Sequence, residues 1–385
     1  MYFYYWLQFD KINMSHIKVN INPEVLQWAR EEAGYTVNEI ADKLQAIDYK
    51  TWEKDGKNIP LGKLKKAAGY YKRQVAVFFL PYVPKKLEKQ NDFRNLKPSE
   101  SNLSKEVLLV LRRAARLQHI ARELRGESYW QKKYEWQNEV QQFIVSSKPD
   151  DAKINRWLRK RLDIDLEDQL QWQNDNEAYR QWRLAVEEKL GILVFQFPMP
   201  MEELQGFCFT ESFPYVIVTN SRQSYYGRLF TIFHELAHII RHHSGMCLMD
   251  FTNTQKQKQE EFECNAFAGK FLVPSSQVEA TDDLKEIRRF ANKLGVSREV
   301  YLRRMKDEGL ISDVKFFTLL DQIKATYKKS SDKRFVPVMP EVKSKASRGE
   351  TFFNMVLDAV NNNQISYTEA SDVLDLRVNR LVNEL

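Results

Sequence analysis

Cysteine is scarce in this chain of 385 residues, with only Cys208, Cys247 and Cys264. An odd, unevenly spaced set does not make a disulfide framework, so a cross-linked secreted fold is excluded and a reducing, cytoplasmic setting is implied. No apolar run approaches the roughly eighteen residues needed to span a bilayer, so no membrane partner is expected. The opening MYFYYWLQFDKIN is aromatic, but it lacks a basic stretch, an apolar core and a small-residue cleavage site, and does not read as a signal peptide. Residues 1–18 are an extension in this reading, and Met14 is an alternative natural start because organised sequence begins after it. No internal repeat is evident. Histidine is rare as well, but four of the six fall in one stretch, at 234, 238, 242 and 243.

The remaining composition, 43% hydrophobic and 29% charged, is that of a globular chain long enough for two to three domains. A net charge of +7 permits contact with nucleic acid without requiring it.

The histidine-rich stretch Leu229 to His243, LFTIFHELAHIIRHH, has the period of a helix. At about 100° per residue, Leu229, Phe233, Leu236 and Ile240 form an apolar stripe, while Thr231, His234, Glu235 and His238 fall near the opposite face. The helix is expected to be buried on one side and chemically equipped on the other. His234 and His238, at i and i+4, can converge on one metal ion. Glu235 can then reach a water at the ion's open position, as in the H-E-x-x-H pattern of zinc hydrolases. His242 lies eight residues beyond His234, roughly 12 Å along the axis, too far to join the same ion. His242 and His243 are therefore expected to cap the helix end, where imidazolium charge suits the dipole.

A further ligand must come from elsewhere, and the next helical run, Gln257 to Leu272, offers Glu260, Glu261 and Glu263. Glu261 with Asn265 at i+4 puts a carboxylate and a supporting amide on one face, matching a two-His-one-Glu catalytic zinc site. Glu263 is the competing carboxylate, with solvated charge as its plain role. Cys264 reads as a small buried residue, and Cys247 as a residue that could coordinate zinc in a latent state.

RLFTIFHELAH (Arg228 to His238), EFECNAFAGKFLVP (Glu261 to Pro274) and the strands GFCF (Gly206 to Phe209) and YVIVTN (Tyr215 to Asn220) together resemble the ImmA/IrrE family of zinc metallo-endopeptidases. The resemblance is dense over about Phe195 to Pro274 and thinner elsewhere. It implies His234 and His238 as zinc ligands, Glu235 as the catalytic glutamate and Glu261, in preference to Glu263, as the third ligand. It also implies narrow, regulatory proteolysis of a cognate repressor or antitoxin-like DNA-binding protein, in a stress-response or mobile-element setting. The expected fold is α+β and predominantly helical, with a zincin-like catalytic domain of a small sheet and the H-E-x-x-H helix, flanked by helical domains.

Residues 19–81 read as a compact helical unit. Pro23 opens a helix, Thr36 with Glu39 forms a capping-box signal for a second, and Pro60 opens another after a Gly56 turn. The unit resembles the helix-turn-helix of phage-repressor-like, XRE-type regulators. Only seven residues separate Leu44 from Trp52, however, and Asp48, Glu53 and Asp55 put acid where phosphate contacts would be wanted. Lys18 to Arg73 holds eleven basic and eight acidic residues, 11 − 8 = +3. A scaffold that docks a partner and a DNA-binding unit both stay open, and no nucleic-acid contact residue can be named.

Residues 82–102 read as a linker and 103–190 as a helical scaffold. There Trp130, Trp136, Trp157, Trp172 and Trp182 are expected to be core rather than base-stacking platforms. Residues 191–280 form the zinc domain, with strands at Gly191–Phe197, Gly206–Thr210 and Tyr215–Thr219, one of whose edges could hold an extended peptide. Residues 281–323 read as a helical cover with a second helix-turn-helix-like spacing. Its segment Lys285 to Lys306 carries eight basic and two acidic residues. Residues 324–350 read as a second linker and 351–385 as C-terminal helices that form a docking or partner-binding element. Tyr215, Tyr225, Tyr226, Tyr301 and His243 are candidates for the oxyanion donor, unranked. The reading that competes with a Zn2+ endopeptidase is a DNA-binding regulator or toxin–antitoxin component whose zinc site is structural or vestigial.

Overall fold

A computed structural model describes residues 17–71, 73–84, 103–144, 150–241, 247–248, 255–327 and 338–384, with backbone alone at 247, 248 and 257. His242, His243 and Met14 lie outside the described residues, as do the side chain of Cys247 and most of the 82–102 stretch. Two compact units divide the chain near Arg113.

The first unit opens with β1 (Lys18–Val19), followed by α1 (Pro23–Glu32), α2 (Val37–Leu44), α3 (Tyr49–Asp55), β2 (Ile59–Pro60) and α4 (Leu61–Tyr71). Its local signals are clear. Asn22 caps α1 with Pro23 behind it, and Thr36 and Glu39 form the capping box of α2. Gly56 ends α3 at φ +68°, where a Cβ would sit 2.2 Å from the Ile21 carbonyl oxygen. Val25, Leu26, Ile40, Tyr49, Trp52, Leu64 and Phe78 build the core.

One expectation is corrected in this unit. Glu53 does not repel phosphate from the surface, because it turns inward and takes a two-pronged hydrogen bond from Arg30 at 2.6 and 3.0 Å. Tyr49 and Trp52 face the core with it, so three of the seven residues of α3 point inward.

Helix α5 (Lys105–Arg125) runs through the division into the second unit, and α6 (Glu127–Lys133), α7 (Trp136–Gln141), α8 (Asp151–Leu162), α9 (Leu166–Gln171) and α10 (Asp175–Leu190) follow. Trp130, Trp136 and Trp182 are buried. Gly191, at φ +71°, turns the chain from α10 into β3 (Leu193–Phe197). Strands β4 (Gly206–Phe209), β5 (Val216–Asn220) and β6 (Cys247–Leu248) complete a sheet in the order β3-β5-β4-β6. β3 and β5 are parallel, with Val194 opposite Ile217, while β4 runs antiparallel to β5 and, at Phe207–Leu248 and Cys208–Cys247, to β6.

Helix α11 (Tyr225–Ile240) lies between β4 and β5 on one side and α10 and α12 (Gln255–Leu272) on the other. After α12 come α13 (Leu284–Lys293), α14 (Arg298–Asp307) and α15 (Asp313–Tyr327). Four helices end the chain: α16 (Pro340–Arg348), α17 (Glu350–Asn361), α18 (Tyr367–Leu374) and α19 (Val378–Leu381).

The stretch 324–350 is not linker throughout. α15 continues to Tyr327, and Pro340 starts α16 at a position where a missing N–H costs nothing. The C-terminal helices dock on their own chain. Phe352 meets Phe195 edge-on at 5.5 Å, and the buried pair Arg183–Glu187 of α10 holds the backbone at Ala346 and Thr351. The fold is α+β and predominantly helical, as the sequence implies.

Candidate metal centre

The site is built on α11 and α12. Ser224 caps α11 by accepting from the Gly227 N–H, so the helix starts one turn before the apolar stripe begins. Its burial is more complete than expected. Every residue from Thr231 to Ile240 is buried, so the chemically equipped side of α11 is enclosed as well. The reason is tertiary. α12 covers the face carrying the histidines, β4 approaches so closely that a Cβ on Gly206 would lie 2.2 Å from Thr231 Cγ2, and Trp182 and Phe271 stack around Phe233.

Within that enclosure His234 Nε2 and His238 Nε2 are 3.1 Å apart. The two carboxylate oxygens of Glu261, from α12, lie 3.1 Å from His234 Nε2 and 3.3 Å from His238 Nε2. These three side chains each offer one ligand atom, all within 4.8 Å of one another, and among the described residues no fourth His, Cys, Asp or Glu joins them. Asn265, one turn after Glu261, places Oδ1 3.0 Å from His234 Nδ1. Nδ1 can donate to that oxygen, which leaves Nε2 as the ring atom that faces Glu261. Two imidazole nitrogens and a carboxylate converging on one point fit a cation, and a two-His-one-Glu set with an open position is a catalytic zinc donor set.

Glu235 is fully buried beside this cluster. Neither of its oxygens accepts a hydrogen bond from an N–H or O–H group, and the Cys208 thiol of β4 lies against it as a weak donor. Burial raises the Glu235 carboxyl above its ordinary value, against the pull of His234 and His238. For His234, burial acts to lower the pKa, but the hydrogen bond to Glu261 and the Glu235 and Glu261 charges outweigh it and hold the imidazole above its usual range.

The competing carboxylates are engaged elsewhere. Glu263 receives Arg241 Nη1 at 2.9 Å, and Glu260 faces Lys256 on the exposed flank of α12. Cys264 is buried and its thiol pushed up by desolvation, which leaves it inert. The tyrosine candidates separate. Tyr215 packs against Tyr134 and Phe213, Tyr225 lies under Arg228, and the Tyr301 hydroxyl accepts the Glu279 N–H. Tyr226, bonded to Asn292 at 3.3 Å, lines the cavity that adjoins the centre.

Sequence reasoning missed Arg241. It sits at the end of α11, three residues past His238, and joins α8 through Asp151 at 2.7 Å and α12 through Glu263. The only signal was a basic residue in a helix's last turn, because Asp151 lies ninety residues away in sequence. Cys208 was likewise noted only for its rarity.

Residues 187–306 match the family model for peptidase M78, described as the IrrE N-terminal-like domain. The match takes in β3 to β5, both metal-centre helices and the α13–α14 pair, and leaves the first unit outside. No curated protein and no solved structure matches the chain.

Proposed function

We propose that the chain is a zinc-dependent endopeptidase acting on a protein of transcriptional control, a repressor or an antitoxin-like DNA-binding protein. One observation carries the hydrolytic part: a three-donor cluster lies next to a buried carboxylate, Glu235, that no N–H or O–H group satisfies. A divalent cation held by His234, His238 and Glu261 supplies Lewis acidity, which makes a water nucleophilic near neutral pH and polarises a peptide carbonyl.

The protein's own groups do the rest. Asn265 fixes the His234 tautomer, so that Nε2 can donate its lone pair. Glu235 accepts the proton of the attacking water and passes it to the amide nitrogen as that nitrogen leaves. A carboxyl whose affinity for protons is raised by burial is suited to holding one between those two steps. Enclosure by α10, α12 and β4 keeps bulk water from competing.

The substrate class is supported by the similarity of residues 187–306 to the IrrE N-terminal-like domain and by the family resemblance of the quoted motifs. A repressor substrate puts the reaction in the cytoplasm, in keeping with buried Cys208 and Cys264, which form no disulfide. The test is incubation of the purified, zinc-loaded full chain with the small repressor encoded nearest to it, followed by intact-mass spectrometry. Site-specific cleavage by the wild type, with none by a Glu235→Gln variant that retains zinc, supports the reading. Undiminished cleavage by that variant removes it.

A further inference from the structure

We propose that the cavity beside the metal centre is the specificity groove of the enzyme, seating a large apolar side chain of the polypeptide being cut with an acidic residue next to it. The inference rests on the endopeptidase reading and names what that site selects. The cavity measures 750 Å³, within the range of about 300–1,000 Å³ typical of ligand sites. Its apolar lining comes from α11, α12, α14 and α15, through Phe230, Phe262, Ala266, Val300, Phe316 and Leu320.

Two residues of the cavity wall touch the centre. Asn265, which bonds His234, also lines the cavity. Phe230, one turn before His234, has its ring centre 6.5 Å from that imidazole. A polypeptide seated in the groove therefore lies one side chain, Asn265 or Phe230, away from His234.

The chemistry of the lining selects the occupant. Phe262 follows Glu261 in sequence and leaves 62% of its surface in water, an exposure that costs free energy unless a bound chain covers it. Gly269 gives α12 a smooth floor, against which Arg304 packs so closely that a Cβ would meet its Cδ at 3.2 Å. Arg303 and Lys324 border the groove against the carboxylate of Glu299, while Lys270 faces Asp151 at 3.7 Å and Asp307 faces Arg304 Nη1 at 3.7 Å. The guanidinium of Arg303 lies 4.7 Å over the Phe316 ring, which puts positive charge directly beside apolar surface. An apolar side chain with an acidic neighbour matches this pairing. A nucleic-acid backbone does not, because two carboxylates and an aromatic floor would meet its phosphates.

The experiment uses the zinc-loaded full chain carrying Glu235→Gln as bait for a phage-displayed library of random peptides, so that binding is read without turnover. The expected selection is Phe, Tyr, Leu or Ile beside Asp or Glu. Adding Val300→Glu should weaken the selected peptides by about tenfold or more, and adding Lys324→Glu should move the selection from acidic to basic neighbours. Uptake of zinc by each variant reports that it has folded. A selection without a common apolar residue, or selected peptides that bind both variants as they bind the parent, overturns the proposal. So does their displacement by duplex DNA.

Cleavage of the neighbouring repressor by the wild-type chain separates this inference from the reading beneath it. Repressor cleavage with unselective peptide binding refutes the groove alone. Selective binding by a wild-type chain that cuts nothing supports the groove and refutes the hydrolase.

Discussion

Asn265 Oδ1 stands 3.0 Å from His234 Nδ1, so the helix that brings Glu261 to the cluster also orients the imidazole of its neighbour. Glu261 and Asn265 are one turn apart, and both act on His234, one at each ring nitrogen. Removing the amide in Asn265→Ala frees the ring to take the wrong tautomer and should weaken zinc binding by about 10- to 100-fold. Chelator competition measures this. An affinity equal to wild type would show that Asn265 does not orient the ligand.

Glu235→Gln should lower the cleavage rate by about 10²- to 10⁴-fold, the usual contribution of a general base, with one zinc retained per chain. Because the carboxylate it replaces is fully buried with only a weak thiol donor against it, the same change should also raise the melting temperature of the metal-free protein. Differential scanning calorimetry of the two metal-free proteins is the check, and a lower melting point for the variant would count against a net cost of burying this carboxyl.

Protons and metal compete for His234. Its pKa is raised in the folded, metal-free protein, so zinc must displace a proton at pH values where a free histidine would already be neutral. Apparent zinc affinity should therefore begin to fall at a higher pH than an unperturbed imidazole would dictate. The stability of the metal-free protein follows the same shift. The contribution of a raised pKa is complete below the unfolded value and lost as pH rises through the folded one, and Glu235, also raised, acts in the same direction. Chelator-treated protein should melt lower at about pH 9 than at about pH 6. Zinc-loaded protein, with the proton already displaced, should lack that decline.

Gly206→Ala tests how tightly β4 seats on α11. The new methyl would meet both Thr231 Cγ2 at 2.2 Å and the Val218 carbonyl oxygen at 2.8 Å. The backbone has to give, at a cost of about 1–3 kcal/mol in urea unfolding. Cleavage should fall with stability, since β4 also carries Cys208 against Glu235. A substitution that leaves both unchanged would mean that this contact is looser than the geometry states.

Much of the first unit was legible because its signals are local. The Thr36–Glu39 box and the Gly56 turn each depend on a few adjacent residues, and both stand where the sequence puts them. Glu53 was misread because its partner, Arg30, lies twenty-three residues away and only the packing of α1 on α3 brings them together. What the C-terminal helices dock on was not legible for the same reason. Nothing in the period of Phe352 and Phe353 says that Phe195 is what covers them.

At the centre the division is equally physical. Helical period alone set His234 and His238 on one face with Glu235 beside them, because 3.6 residues per turn is a property of the backbone. Which carboxylate of α12 turns towards them was decided by how the two helices meet. Glu261 points at the histidines, whereas Glu263, two residues on and on another face, is taken by Arg241. The complete enclosure of α11, the unsatisfied state of Glu235 and the groove leading from Phe230 towards Leu320 arise between elements distant in sequence, and a one-dimensional pattern carries no record of such contacts.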